Sequence, residues 1–140
     1  MMNSRNQISE MLQKHGIRPS EQRIVIYHYL LDHRIHPVAE TIYQELVSMH
    51  PTLSRTTVYN TLKCFEKNGL VIPLTIEDGE LRYDVNTSLH AHFKCRKCNL
   101  IHDIFVDDLK SSLPHPAAGY QVESMHLDYY GICPECAGKK

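Results

Sequence analysis

The sequence has no tryptophan and only 3 phenylalanines among its 140 residues. Apolar packing therefore rests on aliphatic side chains and on 8 tyrosines, within an ordinary hydrophobic share of 42%. Long hydrophobic runs are missing too, and none approaches the ~20 residues of a membrane-spanning helix. The opening MMNSRNQISEML lacks the apolar core of a secretory signal. The expectation is a cytoplasmic protein with no membrane partner, in a compartment where structural disulfides are disfavoured. An excess of charge of one sign is also lacking. The net charge of -1 gives no global field to draw in nucleic acid. Residues 1–70 carry eight Lys and Arg against six Asp and Glu, and residues 71–140 carry seven against ten. Any DNA binding must come from a local patch. There is no low-complexity tract, and no internal repeat beyond two Cys-x-x-Cys pairs.

What the chain does have is 5 cysteines and 10 histidines. Four of these residues, His90, His92, Cys95 and Cys98, fall within HAHFKCRKC. That stretch is one metal site, parts of two, or a thiol framework with histidines nearby.

The first half reads as helices followed by a hairpin. Residues 4–15 place Ile8, Met11, Leu12 and His15 on one helical face, ended by Gly16. Ser20 suits an N-cap, with Ile24, Tyr27, Leu30 and Leu31 following at helical spacing. A third helix is expected to open at His36-Pro37, with proline in its first turn, and its stripe is Ala39, Ile42, Tyr43 and Leu46. Ser54 caps a fourth, with Val58, Leu62 and Phe65 inward and Asn68-Gly69 closing it. VIPLTIE and ELRYDV then flank Asp78-Gly79, a short-range hairpin signal. Pro73 suggests a free edge on the first strand. Helices followed at once by a hairpin read as a winged helix-turn-helix, against the plainer alternative of a small α+β domain without a ligand.

The fold class expected is α+β. A winged-helix domain spans residues 1–85, a polar hinge 86–88, and a small α/β unit 89–140, with a short helix near Asp107–Leu113. About fifty residues seldom stabilise alone without a metal or a partner.

Cys95-x-x-Cys98 and Cys133-x-x-Cys136 supply four soft ligands, the set of a closed tetrahedral structural zinc site. A reducible disulfide pair or a redox-active CxxC are the alternatives. The compartment argues against the first, and the lack of a thioredoxin-like βαβ pattern against the second. Cys64, within the fourth helix, reads as a free, partly buried thiol.

On a strand, His90 and His92 point the same way. That is half of a metal site or an exposed histidine pair, and the HxH pattern alone does not decide. Were His36, Asp84 and Asp103 to meet them, three His and two Asp would suit Fe(II) or Mn(II) better than a thiolate site does. On the fourth helix, Thr56, Tyr59, Asn60 and Lys63 share the face opposite the Val58–Leu62–Phe65 stripe. Such groups can touch base edges and phosphates; a solvated polar face is the alternative.

HPVAETIYQELVSMHPTLSRTTVYNTLKCFEKNGLV resembles the DNA-binding core of the ferric uptake regulator (Fur) family. LRYD, HAHFKC, CRKCNLIHD and YYGICPEC are similar to the family's later motifs in order and spacing. The likeness covers nearly the whole chain. It implies a homodimeric, metal-responsive transcriptional repressor rather than an enzyme, binding palindromic operator DNA, with the C-terminal domain as its dimerisation domain. It assigns structural Zn(II) to Cys95, Cys98, Cys133 and Cys136, and regulatory Fe(II) or Mn(II) to His36, Asp84, His90, His92 and Asp103. It supports Tyr59 and Arg55 near the major groove, and Arg18 near phosphate or the minor groove.

Within the family, the peroxide-sensing (PerR) branch has Asp at the positions of Asp84 and Asp103, where iron sensors usually have Glu. That implies sensing of hydrogen peroxide by metal-catalysed oxidation of a ligand histidine, His36 or His90. The alternative is a Fe(II)- or Mn(II)-responsive repressor that senses metal level only. Zinc sensors carry a cysteine before the HxH, and residues 65–94 hold none. Many iron sensors have a longer histidine-rich stretch where Leu89 and Ala91 stand here. RPSEQR departs from the family's usual Thr-Pro-Gln-Arg, but Ser20 preserves the cap. From other classes, the rivals are a thiol oxidoreductase and a zinc-stapled structural protein without DNA binding.

Overall fold

The computed structural model describes residues 4–138. The chain divides into two compact units between Thr87 and Ser88.

The first unit opens with α1 (Arg5–Lys14). Its start is a capping box, in which Ser4 Oγ accepts from the Gln7 N–H and Gln7 Oε1 accepts from the Ser4 N–H. Gly16 leaves the helix at φ +74°, a left-handed value that favours glycine. In α2 (Glu21–Asp32), Ser20 caps as expected by accepting from the Arg23 N–H at 3.3 Å. The inward residues are Ile26, Tyr27, Tyr29 and Leu30, whereas Ile24 and Leu31 of the expected stripe are only partly buried. The reason is packing on several sides. This helix touches α1, α3 (Ala39–Val47) and α4 (Arg55–Lys67), so it buries more than one narrow face.

The start of α3 corrects the sequence reading. Pro37 is not in the first turn; Val38 is the N-cap and the helix begins at Ala39. Residues 36–38 instead join the wing. The Tyr83 N–H donates to Pro37 O at 3.1 Å, and Val38 bridges Arg82 in antiparallel fashion. Downstream, Ser54 caps α4 by accepting from the Thr57 N–H at 3.1 Å. Val58, Leu62 and Phe65 are fully buried, and the Phe65 ring meets Tyr27 edge-on at 5.7 Å.

The wing is β1 (Ile72–Leu74) paired antiparallel with β2 (Arg82–Asp84). Ile72 lies opposite Asp84 and Leu74 opposite Arg82. Asp78-Gly79 sits in the middle of a longer connection, residues 75–81, rather than in a tight two-residue turn. Helices followed by a two-stranded wing form the α-rich part of an α+β fold.

The second unit holds β3 (Ala91–Cys95), β4 (Ile101–Ile104), α5 (Leu109–Ser112), β5 (Asp128–Gly131) and α6 (Pro134–Ala137). Its sheet runs β4-β3-β5, with β3 antiparallel to β4 and parallel to β5. Gly131 lies opposite Cys95. A Cβ there would come within 3.3 Å of the Phe93 ring, so a larger residue would require that ring to shift by a few tenths of an ångström.

Candidate metal centres and recognition face

In the second unit, Cys95 ends β3, and Cys98 follows on a loop closed by Asn99 at φ +63°. Cys133 is the N-cap of α6 and Cys136 stands within it. These elements bring all four sulfurs within 4.8 Å of one another. No pair is bonded, and Cys98 and Cys133 are 3.8 Å apart. A tetrahedron with Zn–S bonds of ~2.3 Å has edges of ~3.8 Å, so the separation fits a zinc ion at the centre.

Backbone N–H groups aim at these sulfurs. The Cys95 thiol is pulled down to about 5 by the amides of Cys98 and Cys133, which favour its thiolate. Cys133 is helped by the Cys136 amide. Burial and the neighbouring sulfurs outweigh that help and push it up to about 12. Four thiols crowded this closely cannot all ionise alone, but around a dication they can. The residues present therefore fit a closed structural zinc site. Cys64 stands apart, partly buried in α4.

A second donor set lies on the same sheet. Register places His92 directly opposite Asp103 on β4. His92 Nε2 is 3.3 Å from Asp103 Oδ1, and His90 Nε2 is 3.1 Å from the same oxygen. The His90 Nδ1–H donates to Ser88 O at 2.8 Å, and its ring stacks on Phe105 with centroids 5.0 Å apart. A carbonyl only accepts, so this contact holds the His90 proton on Nδ1. In the neutral ring the Nε2 lone pair then faces Asp103. Two imidazoles and a carboxylate converging at such distances offer three donor atoms to one cation. That is the donor chemistry of a hard-to-borderline metal site.

In the first unit, His36 takes a left-handed backbone at φ +56°. For a residue other than Gly or Asn this conformation is uncommon and costs about 1–2 kcal/mol. Arg82 holds it, its Nη1 donating to His36 O at 3.0 Å, while its Nε donates to Glu77. The turn sets His36 Nε2 3.4 Å from Asp84 Oδ2. The other Asp84 oxygen accepts from the Asn86 N–H. Both residues are buried. The sequence reading singled out neither Arg82 nor Ser88 nor Phe105. The clue for Arg82 was its place in LRYD, two residues before a candidate ligand.

Thr56, Tyr59, Asn60 and Lys63 all lie exposed along α4, with Tyr59 51% accessible. Arg18 is exposed too, its carbonyl accepting from Arg23 Nη1. Beside it, Ser20, Gln22 and Arg23 line a polar groove with Thr57 and Asn60. Arg55 is held sideways rather than projecting freely. Its Nε donates to Glu40 Oε2 at 3.0 Å and Oε1 at 3.1 Å, and its guanidinium lies 4.4 Å over the Tyr43 ring. The wing connection, TIEDGEL, carries three acids and no cation.

Comparison with known proteins agrees with this geometry. The model of the Ferric uptake regulator family matches residues 14–130. The chain is 37% identical over 134 residues to the peroxide operon regulator of Bacillus subtilis (strain 168), covering 94% of this chain and 92% of that one. A solved structure of PerR from Streptococcus pyogenes, described as the structural basis for its peroxide sensing and gene regulation, is 31% identical with a TM-score of 0.53. It covers 96% of this chain and 93% of that one. The ferric uptake regulator of Helicobacter pylori shares the fold at a TM-score of 0.71 and 21% identity, covering 99% and 97%. No helix among the described residues is long and apolar enough to cross a membrane. With the winged helix, the paired CxxC turns and the matched sequence in agreement, the chain belongs to the ferric uptake regulator family, a family of regulators rather than enzymes, and within it resembles the peroxide-responsive repressors.

Proposed function

We propose that this protein is a metal-dependent transcriptional repressor that binds palindromic operator DNA as a homodimer and is released by hydrogen peroxide. The observation that carries the reading is the separation of donor chemistry. Four thiolates gather in one cluster, and imidazoles with aspartates gather elsewhere, as His36–Asp84 and as His90–His92–Asp103. The relatives named as peroxide regulators point the same way.

In this reading the thiolates hold zinc permanently. His36 and Asp84 on one side of the 86–88 hinge, and His90, His92 and Asp103 on the other, share one Fe(II) or Mn(II). Sharing it fixes the angle between the winged helix and the dimerisation unit, so that both recognition helices of the dimer reach one face of DNA. The metal acts by binding that arrangement better than the open one. An Fe(II) held there would activate hydrogen peroxide beside a ligand imidazole, which would lose two electrons to the peroxide and take one of its oxygen atoms, the other leaving as water. His36 and His90 are the candidates, and an oxidised ring is a poorer ligand, so the two donor sets part.

Exposed apolar side chains on the second unit support a dimer, among them Phe105 at 65%, Val106 at 50% and Tyr120 at 72% accessible. The exposed α4 face, with Arg18 and the Ser20–Arg23 segment beside it, supports DNA contact. Half-site spacing would follow from the two-fold axis, and affinity would fall steeply with salt.

The test is operator binding with Mn(II) or Fe(II), with and without peroxide, followed by peptide mass spectrometry. Peroxide should abolish binding of the Fe(II) form, spare the Mn(II) form, and add one oxygen to a peptide containing His36 or His90. Peroxide-insensitive binding at saturating Fe(II) would instead make the protein a sensor of metal level. Oxidation confined to cysteine would remove the histidine mechanism.

A further inference from the structure

We propose that Arg55 reads a guanine in each operator half-site, oriented for that purpose by Glu40 and Tyr43. The inference rests on the DNA-binding reading above and deepens it by naming the base and the device.

Arg55 is the first residue of α4, and the N-terminal residues of a recognition helix are those that meet base edges. Three residues of α3 fix its side chain. Glu40 takes the Nε edge with both carboxylate oxygens, and Gln44 Nε2 donates to Glu40 Oε1 at 2.9 Å, steadying the carboxylate. Tyr43, one turn along α3, supports the flat face of the guanidinium. Only the Nε edge is used. Among the described residues, Nη1 and Nη2 donate to nothing. What remains presented is a planar pair of donors, the geometry that engages guanine O6 and N7 together.

Charge separates base reading from phosphate binding. An approaching phosphate would meet the Glu40 carboxylate as well as the guanidinium. The neutral acceptors of guanine carry no such penalty. As a fold-stabilising element the pair contributes little, because both partners are about half exposed. Its main consequence is to remove the freedom of a long, flexible side chain before DNA arrives, which lowers the entropic cost of ordering it on the base.

The experiment selects duplexes from a randomised library with Mn(II)-loaded wild-type protein. Every position of the selected duplex is then substituted and binding measured for wild type, Arg55→Lys and Glu40→Gln. The wild type should fix a guanine at one symmetric position per half-site, with substitution there costing roughly 5- to 150-fold. Both variants should flatten discrimination at that position and leave the others unchanged, with zinc content and helicity at wild-type values.

Uniform weakening of all duplexes by Arg55→Lys would make Arg55 a phosphate contact and overturn the proposal. So would a Glu40→Gln variant that binds every duplex more tightly with discrimination intact, since Glu40 would then be a competitor for Arg55. If wild type selects no duplex at all, the DNA-binding reading itself fails. If it selects a palindrome whose bases are indifferent to both variants, only the role of Arg55 fails.

Discussion

The two units bury different things. Residues 4–87 close over Ile8, Leu12, Ile26, Leu30, Ile42, Val58, Leu62 and Phe65, all 1% exposed or less. In residues 88–138, the buried cluster around β3 is Cys95, Cys133 and Cys136, with Phe93 and Ile132 packed against it. One unit is held by apolar burial and interdigitation. The other sets a sulfur cluster beside only a few buried apolar side chains, Ala91, Ile101 and Leu109, and a zinc ion in that cluster would add cohesion that so small a core lacks.

The largest effect expected is loss of the second unit alone. Stripping zinc with a strong chelator, or Cys133→Ser, should remove a stabilisation of about 10–16 kcal/mol on the scale of structural zinc peptides. Hydrogen exchange should then show unprotected amides across β3, β4 and β5, while α2 and α4 stay protected. If α4 loses protection in step with β3, the units are one cooperative body and the contrast between them is wrong.

The reciprocal change is next in size. Phe65→Ala empties the centre of the first core, at the junction with Tyr27, and should cost about 3–5 kcal/mol. Thermal unfolding of the helical signal should shift to lower temperature, by roughly 4–8 °C for each kcal/mol lost in a unit of this size. The zinc stoichiometry, measured on the same sample, should remain one per chain.

A third test asks whether the two His and Asp sets serve one ion. Asp84→Ala and His92→Ala should each remove most of the Mn(II)-dependent gain in operator affinity, on the order of 5- to 150-fold. The double variant should lose no more than either single one, because both remove the same ion. Additive losses would mean two independent ions.

Much of this was legible in the sequence, and what was not has identifiable causes. Caps are local chemistry, so Ser20 and Ser54 marked their helices. Two CxxC turns need only converge, and that convergence is a matter of strand pairing, which the register of Cys95 with Gly131 provides. The start of α3 was misread because Pro37 has two uses. It suits a first helical turn, yet here its carbonyl serves the Tyr83 amide. That pairing with the wing is long-range and leaves no local signature. The same misreading hid the left-handed His36 and its Arg82 support, which together aim the imidazole at Asp84. The stripe on α2 was drawn too narrow because periodicity records one buried face, whereas a helix packed on several sides has more. Arg55 was recognisable as a candidate, but its capture by Glu40 spans two helices and shows only in three dimensions.

The smallest effect expected tests how far the first unit depends on local devices rather than on its core. Ser54 Oγ accepts from the Thr57 N–H, and its own hydroxyl lies 2.9 Å from Thr57 Oγ1. Ser54→Ala removes one cap from the recognition helix and should cost about 1 kcal/mol. Val58, Leu62 and Phe65 would remain buried, so the helix should persist and only its first turn should loosen. That turn carries Arg55 and Thr56. The variant should therefore lower the denaturation midpoint slightly, leave zinc and Mn(II) binding unchanged, and weaken operator binding more than its small stability loss accounts for. Equal losses in stability and in binding would show that the first turn of α4 is rigid without its cap, held from outside by the Glu40–Arg55 contact.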